Sequence, residues 1–312
     1  MIDDPEILTG VVLNGAHGIY DVHTEIGILR CTLRGKLKKA FAQSQSNKTF
    51  SKARLRGDKL ITLPKSQRIA QKELQASRAQ REAELLPVRL TVGDHVKLRQ
   101  LDARNGMIEE ILPRHSELSR RDVASTEKRA IQQTLLANLD QVVLVFAAAQ
   151  PEPHFGMLDR YLAICESAGI QPVLCLNKAD LAHASYVDQA AVLYVSLGYT
   201  VIWTSVLSGQ GIETLLALLH EHTTLFTGPS GVGKSSLVNA IEPGMAIKTG
   251  FISESTGKGK HTTTGSQLYA LSGGGWLADS AGIRALAAWD IDPEDLAHGF
   301  RRGMNETIVR VN

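Results

Sequence analysis

Eight consecutive residues, Gly228-Pro229-Ser230-Gly231-Val232-Gly233-Lys234-Ser235, match the spacing GxxxxGK[ST]. Glycines at these places let the backbone turn its N–H groups inward around phosphate oxygens. The motif follows the apolar run 224–227 and opens a helical stretch at Ser236, whose N-terminal end adds positive potential. Lys234 can reach the β- and γ-phosphates of a nucleoside triphosphate, and the Ser235 hydroxyl can ligate Mg²⁺. Asn177-Lys178-Ala179-Asp180 follows a second apolar run, 172–176. A carboxylate there can accept from guanine N1–H and the 2-amino group; adenine lacks both donors, so Asp180 so placed selects guanine. Asp279-Ser280-Ala281-Gly282 reads as DxxG, with Asp279 holding Mg²⁺ through water and the Gly282 N–H meeting the γ-phosphate. In Thr204-Ser205-Val206, backbone N–H groups of Ser205 and Val206 can support the base. Alone, the last three segments also fit ordinary turns; beside a phosphate-binding loop they form one set.

These residues need a scaffold that brings strand ends together. From Asp140 onward, buried-strand runs at 141–147, 173–176, 201–204 and 224–227 alternate with helical stretches. That alternation predicts a mainly parallel sheet covered by helices. Upstream, runs at 9–13, 19–22, 26–33, 96–101 and 106–111 read as five short strands with glycine turns, which predicts a small β-barrel of the OB type. Residues 38–87 interrupt it as an insertion whose second half, 67–85, is rich in helix formers without a clear apolar face. The expected domains are an OB-fold domain over 1–115 and a nucleotide-binding domain over 116–312, joined near the polar stretch 114–125.

The 312 residues suit about two domains at ~150 residues each. A hydrophobic share of 43% and a charged share of 21% are those of a soluble globular protein, and no run of about 18 apolar residues is present. The acidic start, Met1-Ile2-Asp3-Asp4, does not read as a signal peptide. Three scattered cysteines, Cys31, Cys165 and Cys175, offer neither a disulfide framework nor a metal knuckle and read as small core or strand residues. The net charge of +2 conceals a basic block: residues 36–84 carry a balance of +9 and the remainder −7. Aromatics are sparse in the block, so it suits phosphate contact better than base stacking.

The order of the motifs is unusual. Common small GTPases run phosphate loop, switch threonine, DxxG, NKxD and base loop. Here NKxD and the Ser205 loop come first, which is a circular permutation of the GTPase fold; chain ends that lie close in space tolerate such rewiring. With this order, the chain resembles the RsgA (YjeQ) family of circularly permuted GTPases over roughly residues 8–300. The likeness also rests on Leu33-Arg34-Gly35-Lys36, Val92-Gly93-Asp94-His95-Val96, Asn138-Leu139-Asp140-Gln141-Val142, Leu158-Asp159-Arg160-Tyr161-Leu162, Gly259-Lys260-His261-Thr262-Thr263-Thr264 and the stretch 279–284. The resemblance implies a cytoplasmic GTPase that binds GTP/GDP and Mg²⁺ and acts on the small ribosomal subunit and its rRNA late in maturation. No DNA or membrane partner is expected, and the chain is expected to be a monomer.

The family normally ends in a zinc domain with three Cys and one His. This chain has no cysteine after Cys175 and stops at Asn312, so neither that domain nor zinc is expected. Position 283, where many GTPases carry a water-orienting Gln, is Ile283, which cannot hydrogen-bond water. His261, beside the switch threonines, is the candidate to orient the attacking water or take its proton. Thr263 is the candidate ligand of Mg²⁺ and sensor of the γ-phosphate, with Thr262 and Thr264 as close competitors. Two other readings stay open: an RNA-binding module whose nucleotide site only senses GTP or is inactive, and a permuted GTPase of large-subunit assembly. Intact Lys234, Ser235, Asp180 and Asp279 argue against the first, and the OB-like start argues against the second.

Overall fold

The computed structural model describes residues 7–39, 89–121, 132–245 and 266–280. Five strands, β1 (Ile7–Ala16), β2 (Ile19–Thr24), β3 (Gly27–Leu33), β4 (His95–Gln100) and β5 (Asn105–Ile111), close into a barrel in the order β1-β2-β3-β5-β4. Period-two patterning drives closure: Leu29 and Cys31 of β3 and Val96 and Leu98 of β4 point inward, while Ile28 and Arg30 face out. The inward set packs with Leu8, Val12, Val22 and Ile108 into one core. β3 pairs with β5 in parallel across the insertion. Lys36, Lys38 and Lys39, at the insertion's start, are exposed; the stretch rich in helix formers, 67–85, lies outside the described residues.

The polar stretch from Arg114, read above as a boundary, carries strand β6 (Glu117–Arg121), which pairs with β7 (Gln132–Ala137) in a two-stranded ribbon. Its anchor is an ion pair. Arg114 donates through Nε to Asp94 Oδ1 at 2.7 Å and through Nη2 to Asp94 Oδ2 at 2.9 Å, with the carboxylate fully buried. Burial opposes the arginine's charge, but Asp94 and Glu117 outweigh it and raise its pKa. Next to Asp94, in the turn before β4, Gly93 sits at φ +88°; a Cβ there would lie 2.0 Å from the Ala137 carbonyl oxygen. Ala137 N donates to Val92 O at 3.0 Å and Asn138 Nδ2 to Gly93 O at 2.8 Å, so only glycine admits this seam between barrel and ribbon.

The second sheet has the order β10-β9-β8-β11-β13-β12: β8 (Gln141–Ala147), β9 (Gln171–Asn177), β10 (Thr200–Thr204), β11 (Thr223–Thr227), β12 (Ser266–Ala270) and β13 (Trp276–Ser280). All neighbours are parallel except β12, which runs antiparallel to β13 at an edge. Every residue of β8 is buried, as expected of a central strand covered on both faces. Leu144 and Phe146 pack on one face against α1 (Phe155–Ala168) and α2 (Ser185–Ser196). Val143 and Val145 pack on the other face against α3 (Ile212–Leu219) and α4 (Lys234–Ile241). Among the described residues, no helix is long and apolar enough to cross a membrane.

Candidate functional site

Parallel strands present all their C-terminal ends on one side of the sheet, and that side collects the motifs. Register sets their heights. Thr204, Asn177 and Ala147 are level across β10, β9 and β8. Thr227 of β11 is level with Leu144, and Leu225 with Ala278, so Asp279 follows on the next residue of β13. The Asp279 side chain, Gly282, Ile283, His261 and the three threonines lie outside the described residues.

The loop 228–235 leaves β11 sharply. Gly228 holds φ +143°, and a Cβ there would lie 2.0 Å from the Val145 carbonyl oxygen of β8. Gly233 at φ +96° caps α4, and its Cβ would lie 2.4 Å from Asn177 Nδ2. Glycine is therefore required at both places, one to clear the neighbouring strand and one to clear the base loop. Gly233 brings no capping side chain to α4, whose N-terminal end opens from the loop. Lys234 is 8% exposed; its Nζ folds back over the loop to Gly228 O at 2.9 Å and Pro229 O at 2.6 Å. Val232 is buried, Ser235 is half-buried, and Ser230, Gly231 and Ser236 are exposed along the rim.

The base loop is latched to this cradle. Asn177, 2% exposed, donates through Nδ2 to Val232 O at 2.8 Å. Lys178, at φ +61°, donates through Nζ to Gly231 O at 2.8 Å and also to Gln150 O. Asp180 is exposed at the loop's end, with Oδ1 accepting the Ser205 hydroxyl at 2.5 Å. Ser205 is fully buried and its backbone N–H donates to Gln210 O at 3.0 Å. The Ser205 amide is thus engaged within its own turn, and its hydroxyl steadies the Asp180 carboxylate. The Ser208 amide in turn donates to Ser205 Oγ at 3.1 Å, which leaves the single hydroxyl proton for Asp180. Val206 follows as an exposed residue. Ala179 N bonds Thr204 O at 3.0 Å and joins the two loops.

Together these groups make a lysine-lined phosphate cradle beside a carboxylate acceptor for a base. Charge on Lys234 and α4's amides suit phosphate oxygens; Asp180, exposed and oriented by Ser205, suits a pair of ring donors. A cleft of about 460 Å³ opens between β6 and the C-terminal end of α1, lined by Arg114, Glu117, Ser119, Ile164 and Ser167 among others. It contains none of the motif residues.

A closed five-stranded barrel joined to a parallel sheet with NKxD ahead of its phosphate loop defines a circularly permuted GTPase architecture. Residues 111–289 match the family model described as RsgA GTPase, and the chain belongs to that family. A relative named small ribosomal subunit biogenesis GTPase RsgA from Pseudomonas aeruginosa is 44% identical over 214 residues, which covers 68% of this chain and 61% of that protein. One of the same name from Haemophilus influenzae is 42% identical over 219 residues, covering 68% and 62%. The aligned region thus spans about three fifths of the curated relatives' length. Among solved structures, YjeQ from Thermotoga maritima superimposes with a TM-score of 0.63 at 27% identity, over 95% of this chain and 82% of that one. YloQ, described as a circularly permuted GTPase, gives 0.59 at 25% identity over 98% and 82%.

Proposed function

We propose that this chain is a GTPase that binds the small ribosomal subunit and hydrolyses GTP during the subunit's late maturation. The observation that carries it is the latch between Asn177 and the Val232 carbonyl, which holds a guanine-type acceptor loop against a phosphate cradle despite the permuted order. The relatives' names, small ribosomal subunit biogenesis GTPase, support the partner.

In this reading Asp180 accepts from guanine N1–H and the 2-amino group, and the hydrocarbon stem of Lys178 lies along the base. The loop amides and Lys234 hold the phosphates and neutralise charge that builds on the β–γ bridge as it breaks. Ser235, in the first turn of α4 beside the cradle, would hold a divalent cation together with Thr263 and, through water, Asp279. A cation held there would supply charge neutralisation to the phosphates. His261 orients the attacking water, because Ile283 cannot. The basic insertion, beginning at the exposed Lys36, Lys38 and Lys39, contacts rRNA phosphates. The protein works in the cytoplasm as a monomer.

GTP hydrolysis measured alone, with small subunits and with large subunits tests this. Stimulation by small subunits only is the expected result. Equal affinity for ATP and GTP, or stimulation by large subunits only, would refute it.

A further inference from the structure

The turn that carries Asp180 is tied on its far side by a histidine that belongs to no nucleotide-binding motif. Leu181 N donates to Lys178 O at 3.0 Å and closes that turn with Asp180 inside it. The Leu181 carbonyl faces the ring of His183, whose Nδ1 lies 3.1 Å away. The second ring nitrogen, Nε2, lies 3.1 Å from Oδ1 of Asp188 in the first turn of α2. The ring leans on Trp203 of the edge strand β10, with ring centres 5.1 Å apart and planes tilted by 31°. His183 is thus the point where the turn, α2 and β10 meet.

Donor and acceptor chemistry fixes the proton count on this ring. A backbone carbonyl and a carboxylate both only accept. Each nitrogen must therefore carry a proton, and the ring that fits is the imidazolium. A neutral ring has a single N–H and keeps one contact only; a ring turned over would set carbon against both oxygens. Among the described residues, Asp188 is the charged side chain that faces the ring. Its bond raises the histidine's pKa from the ordinary value, the Leu181 carbonyl adds to this, and burial opposes it. From β10 the ring meets Trp203, which does not titrate and whose face attracts a cation. Asp180 turns its carboxylate to Ser205 instead. Because the folded value is raised, both ties are complete below about pH 6.5, and one is lost as pH climbs through the raised value.

We propose that His183 is a positioning residue for the guanine-binding turn: doubly protonated, it ties the Leu181 carbonyl to α2 and keeps Asp180 in place for the base, and loss of its second proton loosens that hold. This deepens the guanine-nucleotide reading above and rests on it. His183 acts through the backbone of Leu181, next to Asp180, rather than by touching the base. Coupling is reciprocal, so a nucleotide that needs the turn closed must in return make the ring hold its second proton more tightly.

The test is release of a fluorescent GDP analogue from the full chain at pH 6 and pH 8, with far-UV circular dichroism as the folding check. His183→Gln does not titrate and reaches one acceptor at a time. It should release about threefold faster than wild type at pH 6, the size of an exposed ion pair, and at the wild-type rate at pH 8. Taking the ratio of variant to wild type at each pH removes the titration of the nucleotide's own groups. Asp188→Asn weakens the ring's hold on its second proton and should show the same pattern, so the test stands if His183→Gln does not fold. A second readout is the titration of the His183 ring by NMR: a threefold effect requires a midpoint about half a pH unit higher with GDP bound than without. A ratio that is the same at both pH values would show a packing role alone and overturn the proposal. So would wild-type release by His183→Gln at pH 6, or a ring midpoint that GDP leaves unmoved. A wild-type chain that binds ADP as tightly as GDP would overturn the guanine reading and this proposal with it; one that prefers GDP while the ratio ignores pH overturns the proposal alone.

Discussion

Asp180→Asn is the sharpest probe of the site, because the structure fixes what the new amide would present. Ser208 N–H occupies a lone pair of Ser205 Oγ at 3.1 Å, and the Ser205 proton points at Asp180 Oδ1 at 2.5 Å. In the variant that proton holds the amide oxygen on the Ser205 side, so the NH₂ takes the second position. Guanine offers two donors, and one of them now meets another donor. The loss combines a hydrogen bond to a charged acceptor with an unpaired donor in a desolvated place, about 2–4 kcal/mol in all. At 1.4 kcal/mol per tenfold, GTP should bind about 30- to 700-fold more weakly. Xanthine carries a carbonyl where guanine carries its 2-amino group, so the same NH₂ has an acceptor in XTP, and XTP should gain relative to GTP. Competition of GTP, XTP and ATP against a fluorescent GDP analogue measures all three. GTP binding by the variant at wild-type strength would refute the placement of guanine on Asp180.

Other consequences are as direct. Arg114→Met strands the fully buried Asp94 carboxylate and should lower stability by about 3–5 kcal/mol in denaturant unfolding, whereas Asp94→Asn combined with Arg114→Met should recover much of that loss. The thiols of Cys31, Cys165 and Cys175 are raised from 9.0 to about 11, about 12 and about 12 by burial, so they should resist iodoacetamide at pH 8 until the chain unfolds. Because their folded values are raised, their contribution to stability is complete below about pH 8.5 and declines as pH climbs towards 11–12, which unfolding midpoints at stepped alkaline pH will show. His261→Ala should slow single-turnover hydrolysis on saturating small subunits by ~10²-fold with GTP affinity unchanged, and a wild-type rate there would exclude the proposed role. Deleting residues 40–86 should leave GTP binding intact but weaken small-subunit binding and flatten its salt dependence; an unchanged salt slope would make the segment a bystander.

Where a strand is buried on both faces, its identity is written into an unbroken apolar run. Val142–Ala147 is such a run, and β8 adds only Gln141 ahead of it. The β6–β7 ribbon has no comparable signal: in Glu117–Arg121 only Leu118 is apolar, and Glu117 and Ser119 answer each other and Thr134 rather than a core. Burial pushes the Glu117 carboxyl up, but those hydroxyls and Arg114 outweigh it and hold it below the usual range. The Asp94–Arg114 pair is hidden for a different reason. Twenty residues separate the partners, and no local spacing marks a contact made by tertiary folding. The site divides in the same way. Contiguous motifs such as residues 228–235 and 177–180 could be read directly, whereas His183 meets Trp203 only through the parallel register that sets β10 beside β9.

That register also explains why the permuted chain keeps its site. A loop at the C-terminal end of a parallel strand is placed by the strand's neighbours, not by its position in the sequence. β11 stands between β8 and β13 whichever of them the chain visits first, so Gly228 meets Val145 and Asn177 meets Val232 in either order. What the permutation changes is where the barrel attaches. Here the barrel and its ribbon feed straight into β8 through the Gly93–Asn138 seam, and they also lie against the last hairpin of the sheet. Ser266, the first residue of β12 after the stretch bearing Thr262, Thr263 and Thr264, donates to Leu135 O of the ribbon at 2.9 Å. Trp276, which opens the strand bearing Asp279, makes an edge contact with His23 of the barrel, ring centres 5.0 Å apart. Both segments that carry γ-phosphate-sensing residues in the proposed reading therefore run directly from barrel or ribbon contacts. A chain in the common order, with the barrel fused ahead of the phosphate loop, would bring the barrel in at β11 instead, the next strand of the sheet. The permuted order brings it in at β8 and leaves the β12–β13 edge open for the barrel to cover.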